Sequence, residues 1–365
     1  MDTIRVAVTG YCATGSSAVI DLLREYDGMD IAIKNGYEHV VFYMPDGLFD
    51  LEDKLLRNND PHRSDEAIRS FRAAMERLYK QNFGWFGSYK ACLGPAFMEA
   101  VDDFIGQIST VEPSGLWYGR YRRVRFSLIK VGLQLAAKIV YKRPVAKWGR
   151  QYVVEKGPMY FATPTPQEFY RHGGCLARRY LELSGSGPTG AIYDHLLWPS
   201  QLGRMEAYFG DTLKSLVLTR DPRDVFLMSK YIYPNPPILS PTPYPTEARA
   251  FCEYWKSLRR YDPDMDSLPN VMRVQFEDLI YRYEDTVGEI ETFLGLDPAK
   301  HQARRFLDPS HSIVNTQLKL IDPTWAEEVR VIEDELPEYL YAFPPKEAAS
   351  LHDVLYAGTD LFEET

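Results

Sequence analysis

The chain has 365 residues, of which 45% are hydrophobic and 13% aromatic, so it can bury a full core as one large α/β domain with insertions or as two smaller domains. Its formal net charge of −9 argues against a nucleic-acid-binding protein, and the four cysteines form no Cys-x-x-Cys pair that would indicate zinc or a disulfide framework. We find no signal-peptide pattern and no long uncharged apolar span, and therefore expect a cytoplasmic protein.

The first predicted elements form an anion site. A β-branched run at residues 4–8 predicts a buried strand, and an apolar-periodic run at residues 19–23 predicts a helix. Between them lie Gly10 and residues 15–17 (Gly-Ser-Ser), so free backbone N–H groups and a helix dipole meet at one point, which suits phosphate or sulfate. The Gly-x4-Gly spacing is that of a nucleotide triphosphatase P-loop, but Ser16 replaces its Lys. Alternatively, the glycines serve packing only.

The next segment offers a first candidate general base. Residues 30–42 predict a second strand that leads into a loop holding Glu38 and His39. If this strand lies beside the first, both carboxyl ends border the crevice where α/β sheets bind ligands, and either side chain could accept a proton. The alternative is a solvated loop with an ordinary surface carboxylate.

Residues 50–82 predict scaffold helices, and the aromatic, glycine-rich turn at 83–89 could line a substrate or simply pack.

A basic segment follows, which we interpret as an insertion at about residues 113–155. It has no Asp or Glu between Glu112 and Glu155. Its ten cationic residues are Arg120, Arg122, Arg123, Arg125, Lys130, Lys138, Lys142, Arg143, Lys147 and Arg150. Its middle has an apolar face that is too short between charges to span a bilayer, so we expect a peripheral membrane contact, or docking to a polyanionic acceptor, through residues 120–150. The alternative is a core helix with a solvated basic face.

A second acid–base candidate comes after residues 157–190, whose prolines and glycines predict a loop-rich segment. It is the adjacent pair Asp194 and His195. A dipeptide of this kind is weak evidence by itself, because adjacent residues seldom face each other on one element.

A second strand–turn–helix unit contains a candidate phosphate ligand. Residues 216–218 predict a buried strand, Asp221 fits a helix N-cap, and Pro222 fits the first helical position. Arg220 then stands between strand and helix, where a guanidinium can bind a phosphate through two parallel hydrogen bonds.

A third strand is predicted at residues 271–275, followed by a turn and a helix that ends at Gly295. We interpret residues 1–330 as one domain and residues 331–365 as an acidic C-terminal extension. The fold class that we predict is α/β, namely a P-loop-like three-layer α/β/α arrangement with a central parallel sheet and helical or loop insertions.

Three segments together resemble the sulfotransferases that use 3′-phosphoadenosine 5′-phosphosulfate (PAPS), in particular the bacterial carbohydrate and glycolipid sulfotransferases. Residues 10–17 resemble the family's 5′-phosphosulfate loop, and residues 220–225 (Arg-Asp-Pro-Arg-Asp-Val) resemble its 3′-phosphate motif. Residues 274–279 (Val-Gln-Phe-Glu-Asp-Leu), with the Phe-Leu-Gly-Leu at 293–296, resemble a structural hallmark of the family. The order and separation of the segments also match.

The resemblance implies PAPS as the sulfuryl donor, adenosine 3′,5′-bisphosphate as the product, and in-line transfer without a metal. The residues that it assigns are Thr14, Gly15, Ser16 and Ser17 for the 5′-phosphosulfate, and Arg220 with Ser229 for the 3′-phosphate. In related chemistry, positioning and charge stabilisation supply most of the catalysis.

Two departures from the family pattern stand out. The family usually has Lys or Arg in the loop where this chain has Ala13, so another cation must supply that charge. The candidates for that cation are Lys34, Arg5 and Lys319. The usual serine of the 3′-phosphate motif falls on Met228, and Ser229 comes one residue later, which is roughly 100° around a helix.

In the family's carbohydrate-modifying members a glutamate after the second strand acts as the base, and Glu38 has a comparable place. We rank Glu38 first, His39 second and His195 third as the catalytic base. We expect a carbohydrate or lipid-linked acceptor and no nucleic-acid partner. Two alternatives remain: a P-loop kinase or nucleotide triphosphatase, disfavoured by Ser16, and a non-catalytic relative, favoured by Ala13.

Overall fold

A computed structural model of the protein describes residues 3–33, 38–115, 121–123, 135–136, 138–140, 152–154, 157–232, 244–348, 350 and 354. The chain divides into two compact units. The first unit comprises Met1–Tyr43, Leu78–Phe97 and Ala177–Thr365, and the second comprises Met44–Arg77 and Met98–Leu176. Lys34 and most of the basic segment lie outside the described residues.

The described strands are, in chain order, β1 (Ile4–Gly10), β2 (Met29–Ile31), β3 (Thr110–Gly115), β4 (Tyr121–Arg123), β5 (Tyr152–Val154), β6 (Gly157–Phe161), β7 (Gly190–Asp194), β8 (Lys214–Thr219) and β9 (Val271–Gln275). The first unit contains a five-stranded sheet in the order β2-β7-β1-β8-β9, and every neighbouring pair is parallel. The predicted α/β class with a central parallel sheet is therefore confirmed.

Helices cover both faces of this sheet, as expected for parallel strands. On one face, alternate strand residues such as Val6 and Val8 pack with helix α1 (Ser16–Arg24) and the helix Tyr283–Leu294 in a single apolar cluster. On the other face, the hydroxyl of Tyr193 donates to the carbonyl of Leu181, near the end of the helix Pro166–Leu183, over 3.2 Å. The central strands are consequently buried on both sides.

A second apolar cluster lies elsewhere in the first unit. It joins the turn after β8 to the helices Ala248–Arg259 and Ala326–Glu335. Leu336, at the start of the predicted C-terminal extension, is fully buried in this cluster. The short helices of the unit are Tyr89–Cys92, Met205–Phe209, Pro222–Leu227, Phe276–Tyr281 and Pro309–Ser312.

The second unit is built from helices and two small antiparallel pairs, β3 with β6 and β4 with β5. Its helices are Leu48–Leu56, most of Pro61–Lys80, most of Ala96–Ile108, and the first part of Pro166–Leu183.

In the basic segment, the described side chains of Leu135, Ile139 and Val140 are 55, 73 and 69% exposed. The membrane contact through residues 120–150 stays a prediction. Among the described residues, no helix is both long and apolar enough to cross a bilayer.

The prediction of a loop-rich segment at residues 157–190 is wrong for its larger part. Strand β6 and the 18-residue helix Pro166–Leu183 occupy it. Pro166 is the first residue of the helix, where a proline costs nothing because its missing N–H would be unpaired anyway. Thr165 and Glu168 form a reciprocal capping box, with 2.9 Å from the Thr165 N–H to the Glu168 carboxylate and 3.3 Å from the Glu168 N–H to the Thr165 hydroxyl.

The apolar cluster on the α1 face of the sheet should carry much of the stability of the first unit. Ile290 is fully buried there, and its neighbour Glu289 is exposed. Ile290→Ala should lower the free energy of unfolding by about 2–5 kcal/mol, because it removes buried methylene groups and leaves a cavity. Glu289→Ala is the control, with an expected change of about 0.5 kcal/mol or less. Urea denaturation measures both, and equal effects would contradict the assignment of this cluster as core.

Candidate functional site

Three strand ends meet at one edge of the central sheet. Strand β1 ends at Gly10, β7 at Asp194 and β8 at Thr219, and the β1 residues Val8 and Gly10 pair with Asp194 and Leu218. The glycine loop, the Asp194–His195 pair and Arg220 therefore follow three adjacent parallel strands. Open α/β sheets bind their ligands outside these carboxyl ends.

The glycine loop is held in a tight turn by its own polar groups. The backbone N–H and hydroxyl of Thr14 both donate to the carbonyl of Tyr11, over 3.2 and 2.7 Å, so the Thr14 side chain is 1% exposed. Gly15 has φ +93°, and a Cβ there would lie 2.6 Å from the Phe276 ring. Among the described residues, no side chain caps the start of α1, and the Ala18 N–H donates to the Gly15 carbonyl over 3.0 Å. The N–H groups of Ser16 and Ser17 are therefore those left for an anion.

Arg220 joins the glycine loop to two distant segments. Its guanidinium donates to the carbonyl of Ala13 over 3.1 Å and to that of Asn315 over 2.5 Å, and it lies over the Phe276 ring at 4.6 Å. The side chain is buried, and its Nε–H has no hydrogen-bond partner within the part of the chain that the structure describes. Ala13, which occupies the loop cation's position, thus contributes a carbonyl that orients the arginine.

The turn after β8 is fixed by buried carboxylates. Asp221 caps the next helix by accepting from the Arg223 N–H over 2.9 Å, and its own N–H donates to Glu277 over 2.9 Å. Asp224 accepts from the backbone N–H groups of residues 317 and 318 over 2.9 and 2.8 Å. Burial raises the pKa of Glu277 to about 7, and burial together with the Asp221 charge raises the pKa of Asp224. These hydrogen bonds fix the turn that carries Arg220, and the Arg220 charge acts on Asp224 and Glu277.

Arg220 and the glycine loop line the same cavity, of about 580 Å³. The charged residues that line it are Asp21, Arg220, Arg304, Arg305, Asp308 and the ionisable His311. Its other lining residues include Ala13, Gly15, Ser16, Ser17, Met228, Phe276, Phe306, Ser312 and Asn315. The structure thus brings together the predicted residues 15–17 and Arg220, whereas the Thr14 side chain is committed to the loop turn.

Met228, not Ser229, lines this cavity. The helix Pro222–Leu227 begins where the sequence predicts and continues into a wider π-type turn at Met228–Ile232. Ser229 is buried, at 7% exposure, next to the cavity residue. The structure therefore does not place the Ser229 hydroxyl among the groups that face the cavity.

Of the three cations proposed to replace the loop lysine, Arg5 and Lys319 do not line the cavity, and Lys34 lies outside the described residues. Arg5 lies on β1, where its charge acts on Tyr193, and Lys319 forms an ion pair with Glu333 at 2.9 Å. The additional arginines that do line it are Arg304 and Arg305. Sequence reasoning missed them because nothing local marks an Arg-Arg pair in a loop as part of a site formed by residues about 290 positions earlier.

Two of the three candidate bases, Glu38 and His195, interact electrostatically, and His195 also contacts Asp194. His195 Nδ1 lies 2.6 Å from Asp194 Oδ1, and the His195 backbone, at φ +48°, donates to the Val8 carbonyl. Burial lowers the pKa of His195, but the Asp194 hydrogen bond and the Asp194 and Glu38 charges outweigh it, so the net pKa is raised. Burial raises the pKa of Glu38, against the opposing effect of His195. The Glu38 charge also raises the pKa of Cys12 in the glycine loop.

His39, the third candidate, belongs to the core. Its side chain is fully buried, with Nδ1 2.8 Å from the Tyr180 hydroxyl and its ring edge-on to Tyr180 and Tyr193. Burial lowers the pKa of His39 to about 4, so the ring is neutral at pH 7. The structure therefore does not bring His39 to the sheet edge as a solvent-accessible base. In the described part of the chain, no group of His, Cys, Asp and Glu side chains is arranged to hold a metal ion.

No protein-family model and no curated protein sequence matches this chain. Among solved structures it is similar to the sulfotransferase domain of the olefin synthase of Synechococcus PCC 7002, with 15% identity, a TM-score of 0.34, and coverage of 100% of this chain and 98% of that one. It is also similar to a sulfotransferase domain from the curacin biosynthetic pathway, with 12% identity, a TM-score of 0.31, and coverage of 99 and 98%.

The hydrogen bond that His195 donates to Asp194 should control the protonation of His195. In Asp194→Asn the burial cost remains while the opposing carboxylate is lost, so the pKa of His195 should fall below its wild-type value. NMR titration of the histidine ring resonances measures this. Asp266→Asn, which alters a surface pair with Arg273, is the control and should leave the His195 titration unchanged. A His195 titration that is the same in Asp194→Asn would contradict the assignment.

Proposed function

We propose that this protein is a sulfotransferase that uses PAPS and modifies a hydroxyl or amine group of a carbohydrate or lipid-linked acceptor. The observation that supports this most is that residues 15–17 and Arg220, about 200 positions apart, line one cavity. These are the two segments that a nucleotide with a phosphosulfate at one end and a phosphate at the other requires. A volume of about 580 Å³ lies in the range of small-molecule sites.

The residues present fit such a nucleotide. The uncapped start of α1 and the Ser16 and Ser17 hydroxyls donate hydrogen bonds to an anion, and Arg220 has N–H groups left for a second one. Arg304 and Arg305 add positive charge, and the rings of Phe276 and Phe306 add flat apolar surface. When bound, PAPS would supply the sulfuryl group and carry away the negative charge that develops on its leaving oxygen.

For the acceptor side of the reaction, we assign Glu38 as the general base and His195 as the residue that interacts with Glu38. Glu38 precedes His39, whose N–H donates to the carbonyl of Asp194 at the end of β7 over 3.0 Å, and the raised pKa of Glu38 makes its carboxylate a stronger base toward an acceptor hydroxyl. His195, held by Asp194, stabilises the Glu38 carboxylate by its positive charge. The carbohydrate or lipid-linked nature of the acceptor rests on the family resemblance alone.

Nucleotide binding is the first test. Arg220→Ala should weaken the binding of adenosine 3′,5′-bisphosphate by about 1.5–3 kcal/mol, which is roughly 10- to 150-fold, because a charge-assisted phosphate contact is lost. Isothermal titration calorimetry measures it. Arg249→Ala, which removes a 68% exposed arginine paired with Glu335, is the matched control and should leave the affinity unchanged.

A second measurement, on the wild-type protein, separates the alternative functions. Stabilisation of the wild-type protein by adenosine 3′,5′-bisphosphate but not by ATP–Mg²⁺ in a thermal-shift assay supports the sulfotransferase. Stabilisation by ATP–Mg²⁺ alone would point to a kinase or nucleotide triphosphatase, and stabilisation by neither would point to a non-catalytic relative.

Catalysis is the second test. A mass-spectrometric screen of carbohydrates and glycolipids, incubated with PAPS and the protein, first identifies an acceptor that gains sulfate. With that acceptor, Glu38→Gln should lower kcat by about 10²- to 10⁴-fold while the affinity for adenosine 3′,5′-bisphosphate is kept, because a general base is lost. Wild-type kcat should fall as the pH drops through the raised pKa of Glu38. Glu253→Gln, at an exposed position, is the control. Wild-type turnover in Glu38→Gln would transfer the role to His195.

A further inference from the structure

Glu25 is a buried carboxylate with an unusual set of partners. It follows the last residue of α1 and is 1% exposed. Its Oε1 accepts from the backbone N–H groups of Phe306 and Leu307 over 2.7 and 2.9 Å. Its Oε2 accepts from the backbone N–H of Arg304 over 3.3 Å and lies 2.9 Å from His301 Nε2. A single side chain therefore gathers three backbone donors of one short segment.

Local helix energetics do not account for this carboxylate. A negative charge at the C-terminal end of a helix faces the negative end of the dipole, and burial of a charge costs free energy unless it is fully hydrogen-bonded. The hydrogen bonds to residues 304–307 offset both costs. The hydrogen bonds that Glu25 accepts from this segment therefore explain its position.

That segment lines the same cavity as the glycine loop. Arg304, Arg305, Phe306 and Leu307 all line the cavity. Arg304 has φ +64°, a backbone conformation that is unfavourable for a residue with a side chain, and its N–H bond to Glu25 helps to hold it there. Both arginine side chains are exposed. The Arg304 guanidinium lies 3.5 Å from the Glu284 carboxylate and the Arg305 guanidinium donates to the Gln302 side chain over 2.7 Å, so their positions depend on these surface contacts and on the backbone that Glu25 holds.

Helix α1 connects the glycine loop to the residue that binds this segment. It starts with the loop residues Ser16 and Ser17 and ends next to Glu25, nine residues or about 13 Å later. The N-terminal end of one helix thus faces the anion directly, and the residue after its C-terminal end fixes the arginine-bearing segment.

We propose that Glu25 is a positioning residue that holds segment 304–307 so that Arg304 and Arg305 supply the positive charge that the loop lacks at Ala13. This inference rests on the proposed function, because it takes the cavity as the nucleotide site. Glu25 does not touch the nucleotide. It acts through backbone hydrogen bonds that orient two other side chains.

The test is a double-mutant cycle read out by calorimetric titration with adenosine 3′,5′-bisphosphate. Glu25→Gln keeps the shape of the side chain but turns one acceptor oxygen into an NH₂ donor that opposes the N–H groups on that side. It should weaken nucleotide affinity by about five- to tenfold, the size expected when two exposed arginines lose their orientation. In an Arg304→Ala/Arg305→Ala background, Glu25→Gln should have no further effect on affinity.

Two further variants sharpen the test. Glu25→Asp keeps the charge but shortens the reach by one methylene group, and it should show the same loss and the same dependence on the two arginines, including where Glu25→Gln does not fold. Glu289→Gln is the matched control. Glu289 is exposed on the helix Tyr283–Leu294, so the affinity of this variant should stay within about twofold of wild type.

The outcomes separate this inference from the proposed function. Wild-type affinity in both Glu25 variants, or an equal loss of affinity with and without the two arginines, overturns the positioning role alone. Failure of the wild-type protein to bind adenosine 3′,5′-bisphosphate overturns the proposed function, and the inference with it.

Discussion

The candidate site depends on the Arg220 guanidinium. It lies over the Phe276 ring and donates to the carbonyls of Ala13 and Asn315, so it connects the loop after β1, the turn after β9 and a segment near the C-terminus. An arginine suits this place because its planar fork can bond two carbonyls and still retain donors. The neighbouring carboxylates of Asp221, Asp224 and Glu277 fix the turn that carries it.

Much of this arrangement could be predicted because its causes are local. The strand–loop–helix order at Gly15 and the Asp221–Pro222 helix start are written in a few adjacent residues. The helix Pro166–Leu183 is not predicted, because the prolines and glycines of this segment are typical of loops. The capping box of Thr165 and Glu168 is the local pattern that indicates the start of the helix.

Other features could not be predicted because they depend on contacts between distant residues. Glu38 and His39 are adjacent, and only the fold decides that the charge of the first acts on Cys12 in the glycine loop while the second is buried against Tyr180. Likewise, Glu25 and the segment at 304–307 are about 280 residues apart, so no pattern along the chain relates them. Met228 lines the cavity and the next residue, Ser229, does not, because the helix changes to a π-type turn at Met228–Ile232.

The exposed arginines at positions 304 and 305 also bear on how quickly an anionic nucleotide arrives. A protein of net charge −9 repels a polyanion at long range, and attraction by the two guanidinium groups prevails only within about one Debye length, roughly 8 Å at physiological ionic strength. Dissolved ions screen the distant repulsion more than the close attraction. Moderate ionic strength should therefore favour encounter with this cavity, in contrast to the usual electrostatic steering of opposite charges.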